Sequence, residues 1–211
     1  MGIRNDFEDY VKKHGPCSKD QLVEHFVEQM GYSAGSIATI PYYSDNIMLY
    51  TPGCYIHIDA LGWRENQHEK LMQILRNSYV ERTNTGELYA RLKDVYDYKY
   101  SELPEIHGDF PWTLMLLLSL TERIDEFIFL GNAKNAYIER DASIAIKSLD
   151  DLIWDLLHQE YDGAANKEEL EKRLVNEGIL RRRLTPNMIS GSDKLIINGN
   201  NVIAKDLMRN V

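Results

Sequence analysis

Apolar residues in this chain recur in clusters spaced three and four apart, the signature of helices with one buried face. The clusters alternate with short apolar runs around a turn glycine, which read as hairpins. One local pattern occurs three times: a capping residue, a Gln or Glu three positions on, then leucine. It is Ser18, Gln21 and Leu22, then Asn84, Glu87 and Leu88, then Asn166, Glu169 and Leu170. The cap side chain accepts a free amide of the first turn, and the Gln or Glu reaches back to the cap's own amide, so each predicts a helix start. Four residues beyond each leucine stands another apolar residue, Phe26, Leu92 or Leu174, on the same helical face.

Ahead of each start lies another amphipathic segment: Phe7, Tyr10 and Val11; Leu71, Ile74 and Leu75; Leu152, Ile153, Leu156 and Leu157. Gly15-Pro16 and Gly163 break the chain before the first and third starts, and the polar stretch Arg82-Thr-Asn-Thr does so before the second. Residues 1–6 offer no structured lead-in. Third helices are predicted over Ala34–Tyr43, Trp112–Ile124 and Ile179–Ile189. The hairpins follow: Ile47–Tyr50 with Tyr55–Ile58, Phe127–Leu130 with Ala136–Ile138, and Leu195–Ile197 with Val202–Ala204.

Three helices and a hairpin, three times over, resemble the winged helix-turn-helix family across nearly the whole chain. The first copy, from Pro16-Cys-Ser-Lys-Asp-Gln-Leu through Gly31-Tyr-Ser-Ala-Gly-Ser-Ile to Pro52-Gly-Cys-Tyr, is similar to winged-helix modules of bacterial transcription-associated proteins. The implied fold is α+β, mainly α with short β-hairpins, in three tandem winged-helix units over residues 1–64, 65–145 and 146–211. The middle unit diverges. Some ten residues, Ser101 to Phe110, separate its second and third helices, and the run Leu114-Met-Leu-Leu-Leu is too apolar for a helix lying in a DNA groove. That copy is expected to pack against its neighbours.

With 44% hydrophobic residues the 211-residue chain has enough apolar surface for a real core. The first residues lack a signal-peptide apolar region and no apolar run approaches membrane-spanning length, so a cytoplasmic or nucleoid-associated protein, neither secreted nor membrane-bound, is expected. Two cysteines, Cys17 and Cys54, read as reduced thiols.

The sequence holds no phosphate-binding GxxxxGK[ST] or GxGxxG loop, no HExxH, CxxC or GxSxG. The expectation is a protein without catalytic activity, cofactor or metal. His14, Cys17, Cys54 and His57 have the ligand types of a zinc site, but strand residues three apart point to opposite faces, so Cys54 is expected inward and His57 outward. Glu102, Glu105, His107 and Asp109 offer oxygen ligands without the spacing of a dedicated calcium or magnesium loop and read as a solvated segment.

The formal net charge of −9 argues against a chain that coats nucleic acid indiscriminately. Basic residues number five against eight acidic in 1–64, nine against fourteen in 65–145, and ten against eleven in 146–211. Only the last third holds a basic cluster. Its candidate contacts to double-stranded DNA are Arg181, Arg182, Arg183, Thr185 and Asn187 on the expected third helix, with Lys194 and Asn200 on the hairpin. Lys172 and Arg173 extend this surface, and Glu168, Glu169, Glu171 and Glu177 are available to neutralise the arginines instead. DNA binding through the third unit in a regulatory role is the first expectation. The alternative is an acidic winged-helix adaptor for a protein partner, contacted through Tyr42, Tyr43 and Tyr98. Neither the oligomeric state nor the partner follows from the sequence.

Overall fold

The computed structural model describes residues 2–108, 110–142 and 146–210. Helix α1 (Ile3–His14) buries Phe7 and Val11 and is steadied in its first turn by an ion pair of 2.9 Å between Arg4 and Glu8. It begins at residue 3, so residues 3–6, expected to give no structured lead-in, are helix. Strand β1 (Cys17–Ser18) then enters helix α2 (Lys19–Leu22), which continues with wider, π-type winding over Val23–Gln29. The predicted capping box is formed: the Gln21 amide donates to Ser18 Oγ at 3.2 Å, and the Ser18 amide to Gln21 Oε1 at 2.8 Å. Helix α3 (Ala34–Tyr43) starts on Ser33, whose hydroxyl accepts the Ser36 amide. Strands β2 (Ile47–Thr51) and β3 (Cys54–His57) form the hairpin.

The next elements are α4 (Glu65–Asn84), β4 (Ala90–Arg91), α5 (Leu92–Tyr98), α6 (Leu114–Thr121), β5 (Phe127–Leu130) and β6 (Ala136–Glu139). Last come α7 (Leu149–Glu160), β7 (Ala164–Asn166), α8 (Lys167–Asn176), β8 (Leu195–Asn198) and β9 (Asn201–Ala204). Asn166 caps α8 as predicted, its side-chain oxygen accepting the Glu168 and Glu169 amides at 2.9 and 3.4 Å.

The architecture is mixed α+β, with three separate antiparallel three-stranded sheets among the described residues. Their orders are β1-β3-β2, β4-β6-β5 and β7-β9-β8. Each time a short strand just ahead of a helix pairs with the second strand of the following hairpin. Each of these short strands carries a small, buried residue directly before the residue that enters the helix: Cys17, Ala90 and Ala165. A small side chain there lets strand and helix approach closely.

The chain divides into two compact units, Met1–Leu75 with Lys93–Ile124, and Arg76–Leu92 with Asp125–Val211. The core of the first unit gathers Phe7, Val11, Leu22, Phe26, Ile37, Ile40 and Ile47, with the Phe7 and Phe26 rings 5.5 Å apart. Its apolar α6 packs on β2: the Leu49 amide donates to Ser119 Oγ at 3.1 Å, and the Thr113 hydroxyl donates to the Tyr50 carbonyl. Arg123 extends this junction by donating to the carbonyls of Ser44 and Ile47 at 3.1 and 3.0 Å. The Leu114–Leu118 run is therefore packing surface. In the second unit Leu152, Ile153, Leu157, Leu170, Leu174 and Val202 are fully buried.

Three expectations are corrected. Asn84 does not start a helix: it lies in the last turn of α4, where Gly86 at φ 90° and the bond from the Glu87 amide to the Arg82 carbonyl end the helix. The second helix of the middle repeat starts at Leu92, and Leu88 is only half-buried. Residues 179–189 are not a helix apart from one short 3₁₀ turn, Pro186–Met188. Pro186 lacks the amide a helix needs, and the backbone of Ile179 and Arg181 is bonded elsewhere. Finally, Cys54 is half-buried and His57 is buried, the reverse of the expectation. The His57 ring is satisfied inside because its Nδ1 accepts the Asp59 amide at 3.1 Å, capping the 3₁₀ turn Ile58–Leu61.

Candidate functional site

Two surfaces come from the candidate residues, one in each unit. In the second unit α8 ends at Asn176, Gly178 just beyond it stands at φ 73°, and the following segment is pinned by its apolar residues and its backbone. Ile179, Leu180 and Leu184 are buried. The Ile179 carbonyl accepts the Ala133 amide at 3.1 Å, the Arg181 amide donates to Asn132 Oδ1 at 2.9 Å, and the Leu184 amide donates to Glu171 Oε2 at 2.8 Å. With the backbone and leucines turned inward, Arg181, Arg182 and Arg183 are all exposed, and so are Thr185 and Asn187 just beyond.

None of the three guanidiniums forms an ion pair among the described residues. Two of the four acidic residues expected to neutralise them, Glu171 and Glu177, are otherwise engaged. Glu171 holds the Leu184 amide, and Glu177 takes Arg173 Nε at 2.9 Å and the Tyr89 hydroxyl. Arg173 is bound to Glu160 as well, and these two carboxylates hold it protonated, so it adds no free charge to the surface. Lys172 is exposed. Lys194 is exposed too but paired with Asp151, its ammonium 5.5 Å from the centre of the Trp154 ring. Asn200 is exposed in the last hairpin turn, its carbonyl accepting the Lys167 amide. Thus Arg181–Arg183, Thr185 and Asn187 share one segment, whereas Lys194 is already neutralised.

In the first unit Tyr42 and Tyr43 stand at the end of α3, 83% and 74% exposed. Tyr98 ends α5 and is exposed as well. Helix α3 buries Ile37 and Ile40, which leaves Ala34, Ala38 and Pro41 as a second stripe at spacings of four and three. Beside that stripe runs a groove of about 300 Å³, bounded across from α3 by Lys19 and Val23. Tyr55 also borders it, and burial, with Tyr42 nearby, pushes its phenol above the usual value. The signal of this stripe in the sequence is the spacing of Ala34, Ala38 and Pro41.

Neither metal candidate assembles. Cys17 is buried, His57 is occupied by the Asp59 amide, and no group of three His, Cys, Asp or Glu residues gathers among the described residues. Glu102 ends the exposed 3₁₀ turn Tyr100–Glu102, Glu105 and His107 lie exposed in the loop after it, and Asp109 falls outside the described residues. Among those residues no helix is long and apolar enough to cross a membrane.

Fold and surfaces define an α+β chain of three repeated strand–helix–hairpin motifs with one basic and one apolar-aromatic exposed surface. Compared with known proteins, the chain matches no family model and no curated protein.

Proposed function

We propose that this is a non-catalytic tandem winged-helix protein whose first repeat docks a protein partner. The thrice-repeated sheet order, each short strand leading into a helix and closing on a hairpin, supports the winged-helix reading. The observation that carries the functional reading is the surface of α3. A winged helix uses its third helix to read bases, and this requires hydrogen-bonding and cationic side chains. Helix α3 has no Lys or Arg and offers instead Ala34, Ala38 and Pro41, ending in two exposed tyrosines. Exposed aromatics beside small apolar residues are the composition of a protein interface.

The test is a photo-crosslinking residue placed at Tyr42 and, as a control, at the exposed Glu28, in an extract of the organism that makes the protein. A defined polypeptide adduct at position 42 alone, undiminished by excess duplex DNA, is the expected result. Adducts equal at both positions, or abolished by DNA, would overturn the reading.

A second reading rests on arginines with no ion pair among the described residues: Arg181, Arg182 and Arg183 hold duplex DNA by its phosphates, with Thr185 and Asn187 alongside. Without a third helix there, this contact would be to the backbone rather than to base edges. Salt-sensitive binding of labelled random-sequence duplex by the wild type would favour it, and no binding at low salt would remove it.

A further inference from the structure

We infer that the groove beside α3 takes a peptide segment carrying a large apolar side chain with an aspartate or glutamate close by in sequence. The inference rests on the protein-partner reading and specifies the chemistry of the partner. The floor of the groove is core: Leu22 and Ile37 are 2% and 4% exposed and fixed by their neighbours. Its α3 wall is low, because Ala38 and Pro41 raise no long side chain. About 300 Å³ is the lower end of the range for small-molecule sites and suits one large side chain. An apolar anchor entering it removes water from the floor and from the face of Tyr42, which is otherwise mostly in solvent.

The charge at the rim sets the second requirement. Among the described residues Lys19 is the one charged residue lining the groove. It is exposed and forms no ion pair among the described residues. It also sits at the first position of α2, where the positive end of the helix disfavours a cation, so its charge does nothing for the helix it begins. A lone cation beside an apolar floor complements a carboxylate and repels a lysine or arginine.

The test is selection of a random peptide library on the intact wild-type protein, with counter-selection on Ala38→Trp, which fills the groove from an exposed position. Circular dichroism and thermal unfolding establish that each variant is folded. Enriched peptides should share a large apolar residue with Asp or Glu within a few positions. Binding should fall more than about tenfold in Ala38→Trp and about two- to fivefold in Lys19→Ala. Lys19→Glu should invert the preference toward Lys- or Arg-bearing peptides, and because it suits the start of α2 it should not weaken the fold. Peptides that bind Ala38→Trp as well as wild type, or a selection with no acidic preference, would overturn the inference. Crosslinking at Tyr42 distinguishes the two failures. A polypeptide adduct with no acidic-apolar preference sinks the groove chemistry alone, whereas loss of the adduct sinks the partner reading itself.

Discussion

Gly131→Ala probes the close approach of the turn between β5 and β6 to the segment that follows α8. Gly131 lies at φ 72° in the turn between β5 and β6, and a Cβ there would stand 2.2 Å from the Ile179 carbonyl oxygen and 2.8 Å from Ile179 Cγ2. Two costs add. Left-handed backbone costs an L-residue about 1–2 kcal/mol. An overlap with a backbone oxygen cannot be relieved by turning a side chain, so the turn or the segment at Ile179 must move, at about 1–3 kcal/mol by analogy with overpacked cores. The total is roughly 2–5 kcal/mol. Gly199→Ala is the matched control: it lies in a hairpin turn of the same unit at φ 61°, with nothing within 4 Å of its Cβ position. It should lose only the backbone share, about 1–2 kcal/mol. Urea unfolding followed by circular dichroism gives both differences at one pH and temperature. Equal losses in the two variants would show that the turn does not press on Ile179 and would refute this close approach.

Leu170→Ala should cost about 2–5 kcal/mol, since Leu170 is fully buried, while Leu88→Ala at its half-buried position should cost far less. Comparable urea midpoints for the two would contradict the corrected register of the middle repeat. Burial holds the His57 imidazole below its ordinary pKa, with Lys12 adding to the effect and Asp59, Glu8 and Asp9 opposing it. The unfolded chain therefore binds more protons than the folded one once pH falls below about 6.5. This contribution to stability is complete above that pH and lost as pH falls through the folded value. His57→Asn keeps an acceptor for the Asp59 amide without a titrating ring, so stability should vary less between neutral pH and pH 5 than in wild type; an unchanged pH slope would refute this. For the arginine segment, replacing Arg181, Arg182 and Arg183 with alanine should flatten the log–log salt dependence of any duplex binding by about 2–3. A salt slope equal to that of wild type would take all three out of the contact.

What the sequence by itself determined are the features whose physics closes over a few residues. The Ser18 and Asn166 caps bond amides two and three positions away, and the hairpins turn at their own glycines, so both were visible without knowledge of the rest of the chain. The stripe of Leu152, Ile153, Leu156 and Leu157 was legible for the same reason, because helical periodicity alone places those residues on one face. The middle start was misread because Asn-Thr-Gly serves a helix end as well as a helix start, and only the bonds from Gly86 and Glu87 back into α4 distinguish them.

Tertiary structure decided what depends on partners far along the chain. Ile179 and Arg181 spend their backbone bonds on residues 133 and 132, which no local propensity reveals. Lys194 loses its free charge to Asp151, 43 residues away, while the acids nearest Arg181–Arg183 in sequence are drawn off by Leu184, Arg173 and Tyr89. The groove exists only where α2 and α3 flank Leu22 and Ile37, with low side chains on the α3 wall. A hydrogen bond within one turn forms whatever the fold, but whether a charge is free or a wall is open depends on what long-range packing brings beside it.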